Sequence, residues 1–183
     1  CCRIGNGTMA NYLIAAVSQY GVDISLIKTS NSVTSTAIAL ISGNGDRNII
    51  CKKGNNYDFC LEDIDLNSIK NAKILSVGSL FGLHRLEDEG LLEILKTAKE
   101  NNTVTFADMT SDKRNQKLKG IASFLPYIDY FMPSESESTG PTGLTDCKDN
   151  AKAFLDTGAK NVVIKLDRRG AYAHCTDYEG FVN

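Results

Sequence analysis

The sequence predicts a three-layer α/β fold, a parallel sheet with helices on both faces, together with a small two-stranded β element. Three observations lead there. From about residue 63 onward, short apolar β-rich runs alternate with segments of helical periodicity, the pattern of strand–helix–strand units. Four of those runs release polar residues where they end: Gly78-Ser79, Asp108-Met109-Thr110, Pro133-Ser134-Glu135 and Lys165-Leu166-Asp167. Earlier in the chain, β-rich runs at 36–42 and 47–52 flank Gly43-Asn44-Gly45-Asp46. An Asn-Gly step between such runs signals a hairpin, because a tight turn of this kind needs positive φ at its centre.

Taken in order, residues 2–4 read as a strand tail, and a helix follows to about Tyr20. Tyr12, Leu13, Ala16, Val17 and Tyr20 form its apolar face, and Gly21 stops it. A short strand is expected over 25–28. In the hairpin, alternate positions are apolar on both faces, so each face calls for cover, one of them from a second subunit. Beyond a polar loop at 52–57, the pattern predicts a helix over 63–71 and a buried strand over 74–77. A helix over 86–101 follows, with Leu91, Leu92, Leu95 and Ala98 inward, then a strand over 104–107 and a helix over 116–125. The strand from Ile128 ends at Pro133, which lacks an amide donor and suits a strand end. Ser134 is then positioned to cap the next turn, leaving Glu135 and Glu137 at a helix start. A helix over 147–156, a strand over 161–165 and a turn at Arg168-Arg169-Gly170 complete the pattern. The whole reads as one domain over 1–183, with no repeat or linker.

Parallel strands joined by right-handed crossovers bring the four polar ends to one edge, and open α/β sheets bind ligands outside the carboxyl ends of their strands. Bulk properties limit what that edge serves. With 183 residues, 42% of them hydrophobic, the chain can build a proper core. A net charge of −2 and a pI near 5.7 give no nucleic-acid footprint. No apolar run approaches the roughly 20 residues of a membrane span, and no signal peptide is visible. The six cysteines form no C-x-x-C pair or zinc spacing and read as free thiols of a cytoplasmic protein.

Hydrolysis by a Ser–His–acid triad lacks support: His84 and His174 are the only histidines, and there is no G-x-S-x-G elbow. A Walker-type phosphate loop is also missing. Asp108, Glu135 and Glu137 offer carboxylates for magnesium, which prefers few of them plus water and phosphate oxygens. Lys165 and the arginine pair could offset phosphate charge; a solvated turn is the plainer reading of each. Gly5-Asn6-Gly7-Thr8-Met9-Ala10 matches the relaxed dinucleotide fingerprint. A helix-backed parallel strand over 36–42 would favour that alternative; a hairpin disfavours it.

The order of these motifs resembles the ribokinase-like sugar kinases, the PfkB family, over nearly the whole chain. Thr34-Ser35-Thr36-Ala37-Ile38-Ala39-Leu40-Ile41, Gly45-Asp46-Arg47 and Gly54-Asn55-Asn56 are similar to the family's lid strands and the loop after them. Phe106-Ala107-Asp108-Met109-Thr110 stands where the family has an Asp-Pro-Asn-like strand end, and Pro133-Ser134-Glu135-Ser136-Glu137 where it has Pro-Asn-x-x-Glu. Val162 to Tyr172 is similar to the segment that supports ATP.

The resemblance implies a Rossmann-like, ribokinase-like parallel sheet with a β lid at about 34–56. It implies transfer of the ATP γ-phosphoryl group to a sugar hydroxyl, as in ribokinase, fructokinase and 2-keto-3-deoxygluconate kinase. ATP and Mg2+ are the implied cofactors and a small sugar the partner, with neither nucleic acid nor membrane and with a homodimer through the lid. Ser134, Lys165, Asp167, Arg168 and Gly170 would bind ATP; Ser79, Asp108 and Thr110 the sugar; Glu137 the metal. The family's Gly-Ala-Gly-Asp segment with its catalytic base, and its N-terminal sugar-binding segment, are expected outside residues 1–183, so the chain alone is expected to be inactive. Ser134 replaces the usual Asn, Gly7 and Ala10 replace a usual Asp and Gly, and Asp167 replaces a usual Gly. These departures leave open a non-catalytic, ligand-binding or dimerising relic of the fold.

Overall fold

A glycine-bounded helix and a glycine-turned hairpin dominate the first of two units, Cys1–Asp65 and Leu66–Asn183, into which the computed structural model divides; it describes residues 1–183. In the first unit, β1 (Cys2–Ile4) pairs in parallel with β2 (Ile27–Thr29), and α1 (Thr8–Ser18) joins them. Gly21 takes φ 71°, a left-handed backbone that glycine adopts without steric cost and that ends the helical path. The inward stripe of α1 is the expected one only in part, at Ala16 and Val17. Ala10 is buried and Ile14 and Val17 are half-buried, at i, i+4 and i+7, whereas Tyr12 and Tyr20 face solvent.

The hairpin forms as expected: β3 (Thr36–Ile41) and β4 (Arg47–Lys52) are antiparallel, paired from Thr36↔Lys52 to Ile41↔Arg47. The loop, however, has five residues, 42–46, and only Gly45 among them has positive φ (89°). Asn44 bonds across the loop instead: its Nδ2 donates to Asp46 at 2.7 Å and its Oδ1 accepts from the Asp46 amide at 3.2 Å. The hairpin is exposed on both faces; Ile38, Leu40, Ile41, Ile49 and Ile50 are 52–70% exposed. No parallel strand occupies 36–42, which removes the condition set for the dinucleotide alternative.

Below the hairpin a buried polar hub fixes the loop. A Cβ on Gly54 would lie 1.9 Å from the Val33 carbonyl oxygen, so the chain can pass there only as glycine. That approach lets Asn55, fully buried, donate its amide to Val33 O and its side chain to Ser30 Oγ at 2.6 Å.

The second unit holds α2 (Leu66–Lys70), β5 (Ile74–Leu80), α3 (His84–Glu89), α4 (Leu91–Glu100), β6 (Val104–Met109), β7 (Tyr130–Phe131), α5 (Glu135–Thr142), α6 (Cys147–Asp156), β8 (Val162–Lys165), β9 (Ala171–Cys175) and β10 (Tyr178–Val182). Its six strands run in the order β10-β9-β8-β7-β6-β5; β5 to β8 are parallel, and β9 and β10 fold back antiparallel. The helix expected over 86–101 is two helices, because Gly90 leaves helical geometry (φ −153°, ψ −16°) between them. Residues 116–125 form no α-helix. Positive φ at Asn115 and Lys117 and a proline at 126 leave two 3-10 turns, Lys117–Gly120 and Leu125–Tyr127.

Period-2 alternation fixes the core. Val77, Thr105, Ala107, Met109, Phe131, Val162 and Ile164 are buried, with α4 packed on β6 and α6 on β8 and β9. Phe154 of α6 meets Phe131 edge to face, with ring centroids 5.0 Å apart. On the alternate positions, Ile74, Val104 and Tyr130 are exposed, and Tyr130 stacks on Phe106 at 4.8 Å. No helix is long and apolar enough to cross a membrane, and all six cysteines are free thiols, as the spacing predicts.

Candidate active site

The polar strand ends do gather along the carboxyl edge of the β5–β8 sheet. At β7, Ser134 is the N-cap of α5. Its Oγ accepts from the Glu137 amide at 3.3 Å, while Glu137 Oε2 accepts from the Ser134 amide (2.9 Å) and hydroxyl (2.6 Å). This capping box satisfies the first free amides of the helix and orders the turn that the sequence singled out. Both side-chain contacts fall on Oε2, leaving Oε1 outside the cap. The backbone of Lys165 is tied to the same point: its amide donates to Pro133 O at 2.9 Å, and Ser134 and Lys165 form a parallel bridge.

Next along the edge, Asp108 Oδ1 accepts from the Ser79 amide at 2.5 Å, and Asp108 Oδ2 lies 3.8 Å from Lys165 Nζ. The strand expected to end at Gly78-Ser79 does not stop there; β5 continues to Leu80 through an irregularity, with Ser79 at φ 63°. That left-handed residue turns its amide toward Asp108, a role no propensity scale reveals.

Beyond β8 the chain makes a 3-10 turn, Asp167–Arg169. Asp167 sits at φ 56°, and Gly170 at φ 80° with a Cβ position 2.0 Å from Val182 O. Gly170 is therefore required by both backbone angle and space. Arg169 pairs with Glu135 in the first turn of α5. The side chains of Thr110, Asp167 and Arg168 form no hydrogen bond or ion pair with these residues and Gly170 has no side chain, so five of the nine expected residues (Ser79, Asp108, Ser134, Glu137 and Lys165) meet and four do not. Sequence reasoning assigned no role to the Arg169–Glu135 pair, since partners 34 residues apart leave no local pattern. It likewise missed Tyr172, whose hydroxyl donates to Glu179 at 2.5 Å; burial and that carboxylate push the phenol's pKa up. Glu179 is in turn held below its usual range by the Tyr172 hydrogen bond and by His174.

Asp108, Glu135 and Glu137 each have a separate partner, and no three His, Cys, Asp or Glu side chains come together as a metal cage. Such a donor set fits a magnesium ion that arrives with phosphate oxygens and water.

The family profile described as pfkB family carbohydrate kinase matches residues 1–183. The chain belongs to that family. Staphylococcus aureus ribokinase is 26% identical over 178 residues, 93% of this chain and 55% of the relative. The 5-dehydro-2-deoxygluconokinase of Clostridium perfringens is also 26% identical, over 98% of this chain and 57% of the relative. The chain thus spans little more than half the length of these curated relatives. Among solved structures, an E. coli protein described as a ribokinase II, in complex with ATP and Mg2+, superposes with a TM-score of 0.80 at 22% identity, covering 99% of this chain and 60% of that one. The fold is therefore ribokinase-like α/β.

Proposed function

We propose that the chain is the ATP-binding core of an ATP-dependent sugar kinase, which moves the γ-phosphoryl group of ATP to a sugar hydroxyl. The observation that carries this reading is the capped N-terminus of α5, with Lys165 tied to it by backbone bonds and Asp108 beside it. The helix dipole favours phosphate at such a terminus, and phosphoryl transfer depends mainly on positioning and charge stabilisation. Ser134, Lys165, Asp167, Arg168 and Gly170 would line the nucleotide; Ser79, Asp108 and Thr110 would meet the sugar. Bound magnesium would offset phosphate charge, with Glu137 Oε1 available to it or to its water. Ribose and 5-dehydro-2-deoxygluconate, named by the relatives, head the list of acceptors, with fructose close behind. Six free thiols support a cytoplasmic setting.

Calorimetric titration of the chain with MgATP tests this. Saturable, magnesium-dependent binding is expected, and Glu137→Gln should weaken it by about tenfold, because Gln keeps the cap but loses the charge. Absence of binding, or a Glu137→Gln variant that responds to magnesium like the parent, defeats the assignment. The exposed isoleucines of the hairpin support pairing with a second copy, which sedimentation velocity reads directly. A second reading, a non-catalytic ligand-binding relic, draws support from Asp167, whose negative charge stands in the turn beside the proposed phosphates.

A further inference from the structure

We infer that Lys165 is the cation that receives the nucleotide's phosphates, and that Asp108 is a positioning residue that holds the ammonium beforehand and gives it up when a polyphosphate arrives. The inference rests on the ATP reading above and adds an exchange of partners within that site.

Asp108 lies on β6 and Lys165 on β8, with β7 between them in the sheet. Neighbouring strands stand about 4.8 Å apart, so the ion pair reaches across the end of β7, where Ser134 opens α5. The two ends of the pair are held unequally. Asp108 is anchored through its other oxygen by the Ser79 amide at 2.5 Å. Lys165 is fixed only at its backbone, leaving a four-carbon side chain as the movable part.

The pair itself is loose. Its 3.8 Å separation exceeds the roughly 2.7–2.9 Å of a charge-assisted hydrogen bond, and its side chains are 45% and 43% exposed. A triphosphate presents more negative charge and several acceptors to the same ammonium, so exchange favours the phosphate. Arg169 cannot play this part without leaving Glu135. Once Lys165 has moved, the Asp108 carboxylate keeps the Ser79 amide and regains an oxygen that can accept from a hydroxyl.

Asp108 thus lowers the resting affinity for polyphosphate, the opposite of what a merely structural residue would do. Titration of the full chain with MgATP, inorganic tripolyphosphate and adenosine tests this. Lys165→Met should weaken ATP and tripolyphosphate by about tenfold and leave adenosine unchanged. Lys165→Gln gives a second neutral variant should melting curves show the first unfolded. Asp108→Asn should tighten both phosphate ligands by about threefold. The double variant should bind like Lys165→Met alone, because Asp108 acts through the lysine. If the parent binds ATP but the neutral Lys165 variants bind tripolyphosphate equally well, or Asp108→Asn binds it less tightly, the exchange is overturned and the nucleotide reading stands. Failure of the parent chain to bind ATP or tripolyphosphate overturns both.

Discussion

Opposite edges of one sheet each carry an aspartate beside lysine, and the two pairs are built for different ends. At the amino edge, Asp129 accepts from the Thr105 amide and hydroxyl at 2.9 and 3.0 Å and pairs with Lys99 at 2.5 Å and Lys160 at 3.4 Å. Burial alone would raise its pKa, but the Lys99 hydrogen bond and then the two from Thr105 hold it at about 2. At the carboxyl edge, Asp108 has one amide and one distant, half-exposed lysine. A carboxylate whose acceptor sites are all taken is part of the framework, whereas one held by a single amide is free to change partners. The same residue types therefore stabilise the fold at one edge and, on the exchange proposed above, would serve a ligand at the other.

That contrast can be broken by substitution. Asp129→Asn should have the largest effect, about 2 kcal/mol of stability lost in urea denaturation, because the carboxyl of this mostly buried group is held at about 2. The sign with pH follows. A carboxyl whose folded pKa lies below its unfolded 3.8 stabilises the fold above that value, and its contribution fades as pH falls from 3.8 toward 2. The parent should lose stability over that range and Asp129→Asn should not show this component. Asp167→Gly comes next: it relieves a left-handed aspartate at φ 56° and should raise stability by about 0.5 kcal/mol after the entropy of an added glycine. Asp108→Asn should change stability least, by less than about 0.5 kcal/mol, because Asn still accepts from the Ser79 amide and the exposed ion pair contributes little. A loss comparable to that of Asp129→Asn would erase the distinction between the edges.

Much of this was legible in the sequence. The alternation of apolar runs and helical stretches gave the layered sheet, because burial on a pleated strand and on a helix leaves different periods. Ser134 announced a helix cap with local chemistry and caps α5 as expected, whereas the strand expected to run to Pro133 closes at Phe131. What escaped was non-local or backbone-determined. The left-handed turn at Ser79, the Arg169–Glu135 pair and the approach of Asp108 to Lys165 depend on chain segments brought together only by the sheet. Aromatic residues also misled: Tyr12 and Tyr20 fit an apolar helical stripe, yet small Ala10 faces inward and the tyrosines face solvent.

The close approach at Gly170 has a mechanical consequence. With a Cβ position only 2.0 Å from Val182 O, the turn after β8 rests directly on the backbone of β10. Strand β10 acts as a backstop, so the height at which Arg169 stands above α5 is set from the outermost strand of the sheet. Shortening β10 would remove no side chain from the carboxyl edge and still let that turn drift. Faster amide exchange at Leu166 and Gly170, whose backbone groups close the turn, would be its first trace.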